Sequence, residues 1–255
     1  NQLLDFLAKM EFRTLTKRIS QKFDVEMPTS DILDPDNKIS YSEQIAFDNK
    51  KYEHIKTSEQ LQTWINKIYE IGYVAVDTET TSLNDMLAEL VGISLAIEIG
   101  SACYIPLGHK EGQNDDLFEN SQLVEGQLDL ELVLECLRPI LEDESILKIG
   151  QNIKYDAKVL SRYGVTITAF DDTMLLSYAL HGGLHNHGMD ALSERYLDHS
   201  PIAIKTLIGS GKSAITFDLV KIEDAVAYAA EDADITLRLW KIFKQKLHRS
   251  KVTKV

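Results

Sequence analysis

The chain has 255 residues, 44% of them hydrophobic and 26% charged, which suits one sizeable α/β domain with some extra peptide, or at most two domains. A formal net charge of −13 is the wrong sign for a protein that grips nucleic acid with its whole surface, so any nucleic-acid chemistry must rest on metal ions and a local patch. No run approaches the roughly 18 apolar residues of a membrane span, and Cys103 and Cys136 lack disulfide or zinc spacing, which implies reduced thiols in a cytoplasmic protein with no membrane partner.

Residues 1–24 place Leu3, Leu4, Leu7 and Phe12 at roughly helical spacing, with Lys9, Arg13, Lys17 and Arg18 solvated. From Val25 to about Lys50, Met-Pro-Thr-Ser-Asp and Asp-Pro-Asp-Asn are turn signals, and the stretch is expected to be a tether. A short strand over Tyr52–Ile55 is followed by Thr57 or Ser58 as N-cap of a helix with Leu61, Trp64, Ile65 and Ile68 on one face. Gly72 ends that helix and feeds a strand from Tyr73 to Thr78. Leu90–Ile97 and Ala102–Leu107 read as a hairpin extending the same sheet. Asp115 to Glu144 carries ten carboxylates against one arginine, as expected of a solvated acidic loop plus the outer face of a helix over Leu128–Leu141.

Downstream, the pattern predicts a strand over Ile146–Ile149, a helix from Asn152 to Tyr163, and a strand over Val165–Phe170. Helices then follow over Thr173–Leu180, Met189–Leu197 and Ile222–His248. Strands first, then βαβ alternation, then helices imply an α/β fold with a mixed central sheet flanked by helices on both faces.

The first chemical signal lies at the end of the Tyr73 strand. Side chains of a strand alternate faces, so Asp77 and Glu79 point the same way. Two anions side by side at the end of a buried strand are costly unless a cation sits between them, which makes the pair a candidate metal site. A second cluster, Gly150-Gln151-Asn152-Ile153-Lys154-Tyr155-Asp156, sits at a strand-to-helix junction. There Gly150 permits the sharp turn, and Asn152 and Asp156 are expected on one helix face. In the last helix Tyr228 and Asp232 share a face, and Ala229 and Ala230 allow close approach to the sheet. Glu231 and Asp234 are expected to point elsewhere and meet solvent.

These three clusters resemble, in order and context, the exonuclease motifs of the DEDD superfamily, Tyr subclass. The flanking text, including Met189–Leu197, Gly209-Ser210-Gly211-Lys212 and Thr216-Phe217, is similar to the 3′–5′ proofreading exonuclease domain of bacterial family A DNA polymerase I over residues 52–248. The resemblance implies a ribonuclease H-like three-layer fold and removal of mononucleotides from single-stranded or frayed DNA 3′ ends. It further implies two divalent cations, Mg²⁺ or Mn²⁺, held by Asp77, Glu79, Asp156 and Asp232, with Asp77 bridging both. Four carboxylates around two cations about 3.5–4 Å apart suit phosphodiester hydrolysis. Tyr228 is cast as an orienter of the attacking water, since a phenol with a pKa near 10 stays protonated at pH 7. Leu83 resembles the family's wedge beside the terminal base, and Asn152 and Tyr155 its contacts to the last nucleotides; Ile204 stands where some relatives carry an aromatic residue. Residues 1–50 resemble the end of a preceding 5′-nuclease domain plus linker, and residues 51–255 the exonuclease domain. The chain, which starts at Asn1, is therefore expected to be a monomeric fragment whose full-length form also carries a polymerase domain.

Three further features invite other readings. Gly209–Ser213 is no P-loop, because Thr206 stands where that motif needs glycine and no strand leads in. His181, His185 and His187 lack a second ligand group at zinc spacing and are expected to form a polar loop. Lys241, Lys244, Lys246, Arg249, Lys251 and Lys254 form a basic tail suited to the dipole of the last helix. The rival enzyme reading is an RNA-trimming exonuclease of the RNase D type, which shares the same acids and tyrosine.

Overall fold

The computed structural model describes residues 2–10, 12–23, 25, 46–111 and 122–252. The chain divides into two compact units, Asn1–Gln44 and Ile45–Val255. The first holds two helices, α1 (Gln2–Lys9) and α2 (Arg13–Phe23), with Leu4 and Leu7 buried and Leu3 and Phe12 exposed. Most of the expected tether, residues 26–45, lies outside the described residues, as do residues 112–121 of the acidic stretch and Lys254 of the basic tail.

In the second unit six strands form one mixed sheet in the order β1-β4-β3-β2-β5-β6. The strands are β1 (Glu53–His54), β2 (Tyr73–Thr80), β3 (Leu90–Glu98), β4 (Ser101–Pro106), β5 (Leu147–Gly150) and β6 (Phe170–Asp172). The β3–β4 hairpin forms as expected, β3 runs antiparallel to β2, and β2, β5 and β6 are mutually parallel. Helix α3 (Ser58–Ile71) starts on a capping box in which Thr57 and Gln60 satisfy each other's backbone N–H groups, and it ends at Gly72 in the left-handed region (φ 78°).

The alternation of β2 sorts two cores. Val74 and Val76 face α3, α4 (Leu130–Leu141) and α5 (Lys154–Ser161) through Leu61, Trp64, Ile68, Leu137 and Val159. Ala75 faces the opposite layer, where α9 (Ile222–Ser250) lays Ala225, Ala229, Ala230 and Ala233 over the sheet alanines Ala96 and Ala102. Small residues on both surfaces bring the helix axis close to the strands. Behind α9 pack α6 (Thr173–His181) and α7 (Met189–Leu197).

Several expectations are corrected. Glu231 and Asp234 are buried, not solvated, because α9 is covered by the sheet on one side and by α6 and α7 on the other. Glu231 accepts from His199 Nε2 (3.0 Å) and the Ile202 N–H (2.7 Å), and Asp234 from Tyr52, Gly100 and Arg238, each at 2.9 Å. The expected strand over Val165–Phe170 is mostly coil: Val165 and Ile167 are buried without laddering, and pairing begins only at Phe170. The basic tail is partly structural, with Lys246 buried against the Tyr196 ring and Lys244 paired with Asp171 at 2.8 Å. The three histidines form a packed ring cluster in which His187 is buried, stacks on Tyr178 and meets Ser177 Oγ at 2.8 Å. Among the described residues no helix is long and apolar enough to cross a membrane.

Candidate metal centre

The β2–β5 ladder stops at Ala75↔Ile149, while β2 runs on to Thr80 and β5 ends at Gly150. A crevice at the carboxyl ends of such strands is the usual ligand position in an open α/β sheet. The last residues of β2 project into it from both faces.

Asp77 and Glu79 lie on the α9 face, where Asp232 meets them. Each of the three carboxylates has an oxygen within 4.8 Å of the other two. Glu79 and Asp232 are buried, while Asp77 keeps part of its surface open. Glu79 Oε1 is buried without a hydrogen-bond partner among the described residues. Burial and mutual repulsion hold Asp77 and Glu79 well above the usual carboxylate range; for Asp77 the charges of Asp156, Glu79 and Asp232 add to the burial. Burial pushes Asp232 up to about 8, partly opposed by its hydrogen bond with Tyr228.

Asp156 arrives from the other side. Its helix, α5, packs on the α3/α4 layer, and its Oδ1 accepts from the Thr78 N–H (3.0 Å) and the Thr78 hydroxyl (2.6 Å). Asp156 therefore stands outside the close group of three, yet its charge is the largest one acting on Asp77. Burial pushes Asp156 up to about 7, against the pull of the Thr78 hydrogen bonds. The β5–α5 turn that carries it is tight: a Cβ on Gly150 would lie 2.7 Å from the Ile153 side chain.

Asn152 is corrected in its backbone but not its neighbourhood. It precedes α5 in the left-handed conformation (φ 60°), which asparagine tolerates, so it does not share a helix face with Asp156. Its N–H donates to Asp172 Oδ1 at 3.1 Å, the same atom that caps α6. The Tyr155 hydroxyl is engaged with Thr80 Oγ1 and the Ser82 carbonyl, bracing the 81–89 loop. Leu83, on that loop, is 97% exposed. Tyr228 packs beside Phe217, and burial and the surrounding carboxylates raise its pKa, so its phenol stays protonated. Ile204 is half-buried on the α9 layer, in the short helix α8 (Ile204–Ile208).

Sequence reasoning did not find Thr78, the donor to Asp156, nor Asp190, whose charge acts on Asp232. For Thr78 a signal existed: strand alternation sets it opposite Asp77, on the face that α5 covers.

Partly buried carboxylates, an orphaned Glu79 oxygen and no nitrogen or sulfur in the donor set fit a hard divalent cation such as Mg²⁺ or Mn²⁺. The group lacks the His and Cys ligands that dominate zinc sites.

Comparisons with known proteins place the chain in a family. A family model described as 3′–5′ exonuclease matches residues 52–248. The chain is 48% identical over 220 residues to DNA polymerase I of Rhizobium leguminosarum, covering 83% of this chain and 22% of that protein. It is 41% identical over 199 residues to DNA polymerase I of Pseudomonas aeruginosa, covering 77% and 21%. It thus spans about a fifth of the length of these curated relatives. Among solved structures, RNase D of Escherichia coli, an exoribonuclease involved in structured RNA processing, superposes with a TM-score of 0.57 at 20% identity, over 79% of this chain and 46% of that one. That likeness shows a shared ribonuclease H-like fold.

Proposed function

Because the chain belongs to the 3′–5′ exonuclease family carried by DNA polymerase I, we propose that it removes mononucleotides from single-stranded or frayed DNA 3′ ends by two-metal-ion hydrolysis. The observation that carries this reading is the meeting of Asp77, Glu79 and Asp232 on one side of the β2 end with Asp156 on the other. These four acids would hold two divalent cations, Mg²⁺ or Mn²⁺, and Asp77, which belongs to the group of three and feels the charge of Asp156 most, is the acid that would serve both. Bound there, the cations supply the acidity that activates water and the positive charge that offsets the phosphate.

The chain's own residues do the rest. Tyr228 keeps its proton, so it cannot act as a general base; its hydroxyl, beside Asp232, orients the attacking water. Leu83 offers an uncharged surface to the terminal base, which suits a sequence-tolerant site. Asn152 holds the turn that lines the crevice, and Tyr155 keeps the Leu83 loop in place while its ring edge meets the last nucleotides. A net charge of −13 fits a module that engages only a few nucleotides. The same reading makes the chain one domain of a cytoplasmic DNA polymerase I: residues 51–255 are the exonuclease, residues 1–50 a remnant and linker of a 5′-nuclease domain. As an isolated fragment it would be a monomer.

The test is release of mononucleotides from labelled oligonucleotides of one sequence, as DNA and as RNA, with Mg²⁺ and with EDTA. Mg²⁺-dependent release from the 3′ end of DNA is expected. Faster trimming of the RNA would replace this reading with the RNase D type. Asp156→Ala should abolish release, and a variant within tenfold of the wild type would remove the two-metal assignment.

A further inference from the structure

Strand β2 carries acids on one face and hydroxyls on the other. Asp77 and Glu79 face α9, whereas Thr78 and Thr80 face α5 and take hold of its first turn. Thr80 meets the Tyr155 hydroxyl, and Thr78 gives both its backbone N–H and its hydroxyl to one oxygen of Asp156. Two donors at 3.0 and 2.6 Å, one of them fixed in the strand, leave that oxygen no freedom to rotate. That leaves Asp156 Oδ2 as the oxygen without a Thr78 donor, the one available to a cation. Thr78 is itself buried, so water does not replace its hydroxyl.

We propose that Thr78 is the positioning residue for Asp156: its hydroxyl sets which carboxylate oxygen is offered to a divalent cation, and at what angle. The proposal rests on the two-metal reading above. Partners in this outer position fix ligand orientation, and losing one typically costs about 10–100-fold in metal affinity or activity. The backbone N–H alone does not suffice, because a single donor leaves the carboxylate free to swing about that bond. Thr80 has no such role, since its partner is a tyrosine that holds a loop.

The experiment compares Thr78→Val, which keeps the shape and the N–H but removes the hydroxyl, with Thr78→Ser, which restores it. In oligonucleotide hydrolysis, Thr78→Val should lower kcat by about tenfold or more with KM little changed, and Thr78→Ser should recover most of the loss. A second readout does not depend on turnover: Mn²⁺ binding in the presence of a deoxynucleoside monophosphate, followed by the electron paramagnetic resonance of free Mn²⁺. There Thr78→Val should weaken binding as Asp156→Asn does, and Thr78→Ser should not. Wild-type kcat and Mn²⁺ binding in Thr78→Val would overturn the proposal. So would equal losses in Val and Ser, which would mark Thr78 as a packing residue. If Thr78→Val does not fold, Thr78→Cys, of similar size and a weaker donor, takes its place with the same expected order. A wild type that cleaves no DNA would sink the proposed function, and the Mn²⁺ comparison would still decide the role of Thr78.

Discussion

Removing charge from the candidate metal centre should make the metal-free protein more stable, with an effect that grows with pH. Asp156 has its carboxyl pushed from 3.8 to about 7, mainly by burial. A carboxyl with a raised folded-state pKa contributes stability that is fully present below about pH 4 and is lost as pH rises through the folded value. Between those limits the folded state binds more protons than the unfolded one, so the slope of stability against pH is negative. A shift of about three units at about 1.36 kcal/mol each gives about 4 kcal/mol for this site alone. The sites share their repulsion, so their losses do not add. For a domain of this size about 4 kcal/mol corresponds to roughly 8–16 °C in Tm. Asp156→Asn keeps an acceptor for Thr78 but cannot ionise. In EDTA it should melt about 3–6 °C above the wild type at pH 5, where about 1.6 kcal/mol of the effect is already present, and about 8–16 °C above it at pH 8. Mg²⁺ at about 100 times its Kd should raise the wild-type Tm at pH 8 by an amount worth about 2.7 kcal/mol, and much less at pH 5, where protons compete for the carboxylates. Thermal melts by circular dichroism over pH 5–8.5, with and without Mg²⁺, test all of this. A wild-type Tm in EDTA that holds level or rises from pH 5 to 8 relative to Asp156→Asn would refute the claim that burial raises the Asp156 carboxyl in the folded state.

Tyr228→Phe should slow hydrolysis by about 10–100-fold while oligonucleotide binding, read by fluorescence anisotropy, stays near wild type; full activity would remove the phenol from the mechanism. Gly92→Ala should be destabilising by about 1–3 kcal/mol or more in urea unfolding, since its Cβ would lie 2.1 Å from the Tyr104 hydroxyl in the strand position that pairs with Glu79. Unchanged stability there would show that Tyr104 has room to move. Asp234→Asn weakens a buried acceptor of three donors and removes the charge that faces the Arg238 guanidinium. A loss of about 1.5–3 kcal/mol is expected by the same unfolding measurement, and a loss under about 1 kcal/mol would mean that the ion pair is dispensable.

Three of the four acids could be placed on faces from periodicity alone, whereas Asp156, and the joining of all four into one candidate site, came from the resemblance to the exonuclease motifs. Asp77 and Glu79 close an alternating strand, and Tyr228 and Asp232 share one helix face. The misreadings have physical causes. A 3.6-residue period assigns faces, but it does not say that both are covered; α9 lies between the sheet and two helices, so Glu231 and Asp234 had no solvent to meet. Val165 and Ile167 are apolar and buried, and an apolar run does not separate a ladder strand from packed coil. Asn152 adopts a conformation that its residue type permits but does not require. Thr78 needed a tertiary fact, the side of the sheet on which α5 lies, before its pairing with Asp156 had any meaning.

That tertiary fact also explains why the centre is split. No single face of a sheet supplies four acids at the end of one strand, because alternation sends every second side chain away. The fold reaches four by ending the β2–β5 ladder at Ala75↔Ile149 and letting a helix from each layer bring one acid around the exposed strand end. Asp232 is set by the alanine packing of α9, and Asp156 by the Gly150 turn and Thr78. The two halves are therefore held by different contacts. A change that shifts α9, such as enlarging Ala229, should disturb the Asp77–Glu79–Asp232 group and spare the Asp156–Thr78 pair. A change at Gly150 should do the reverse.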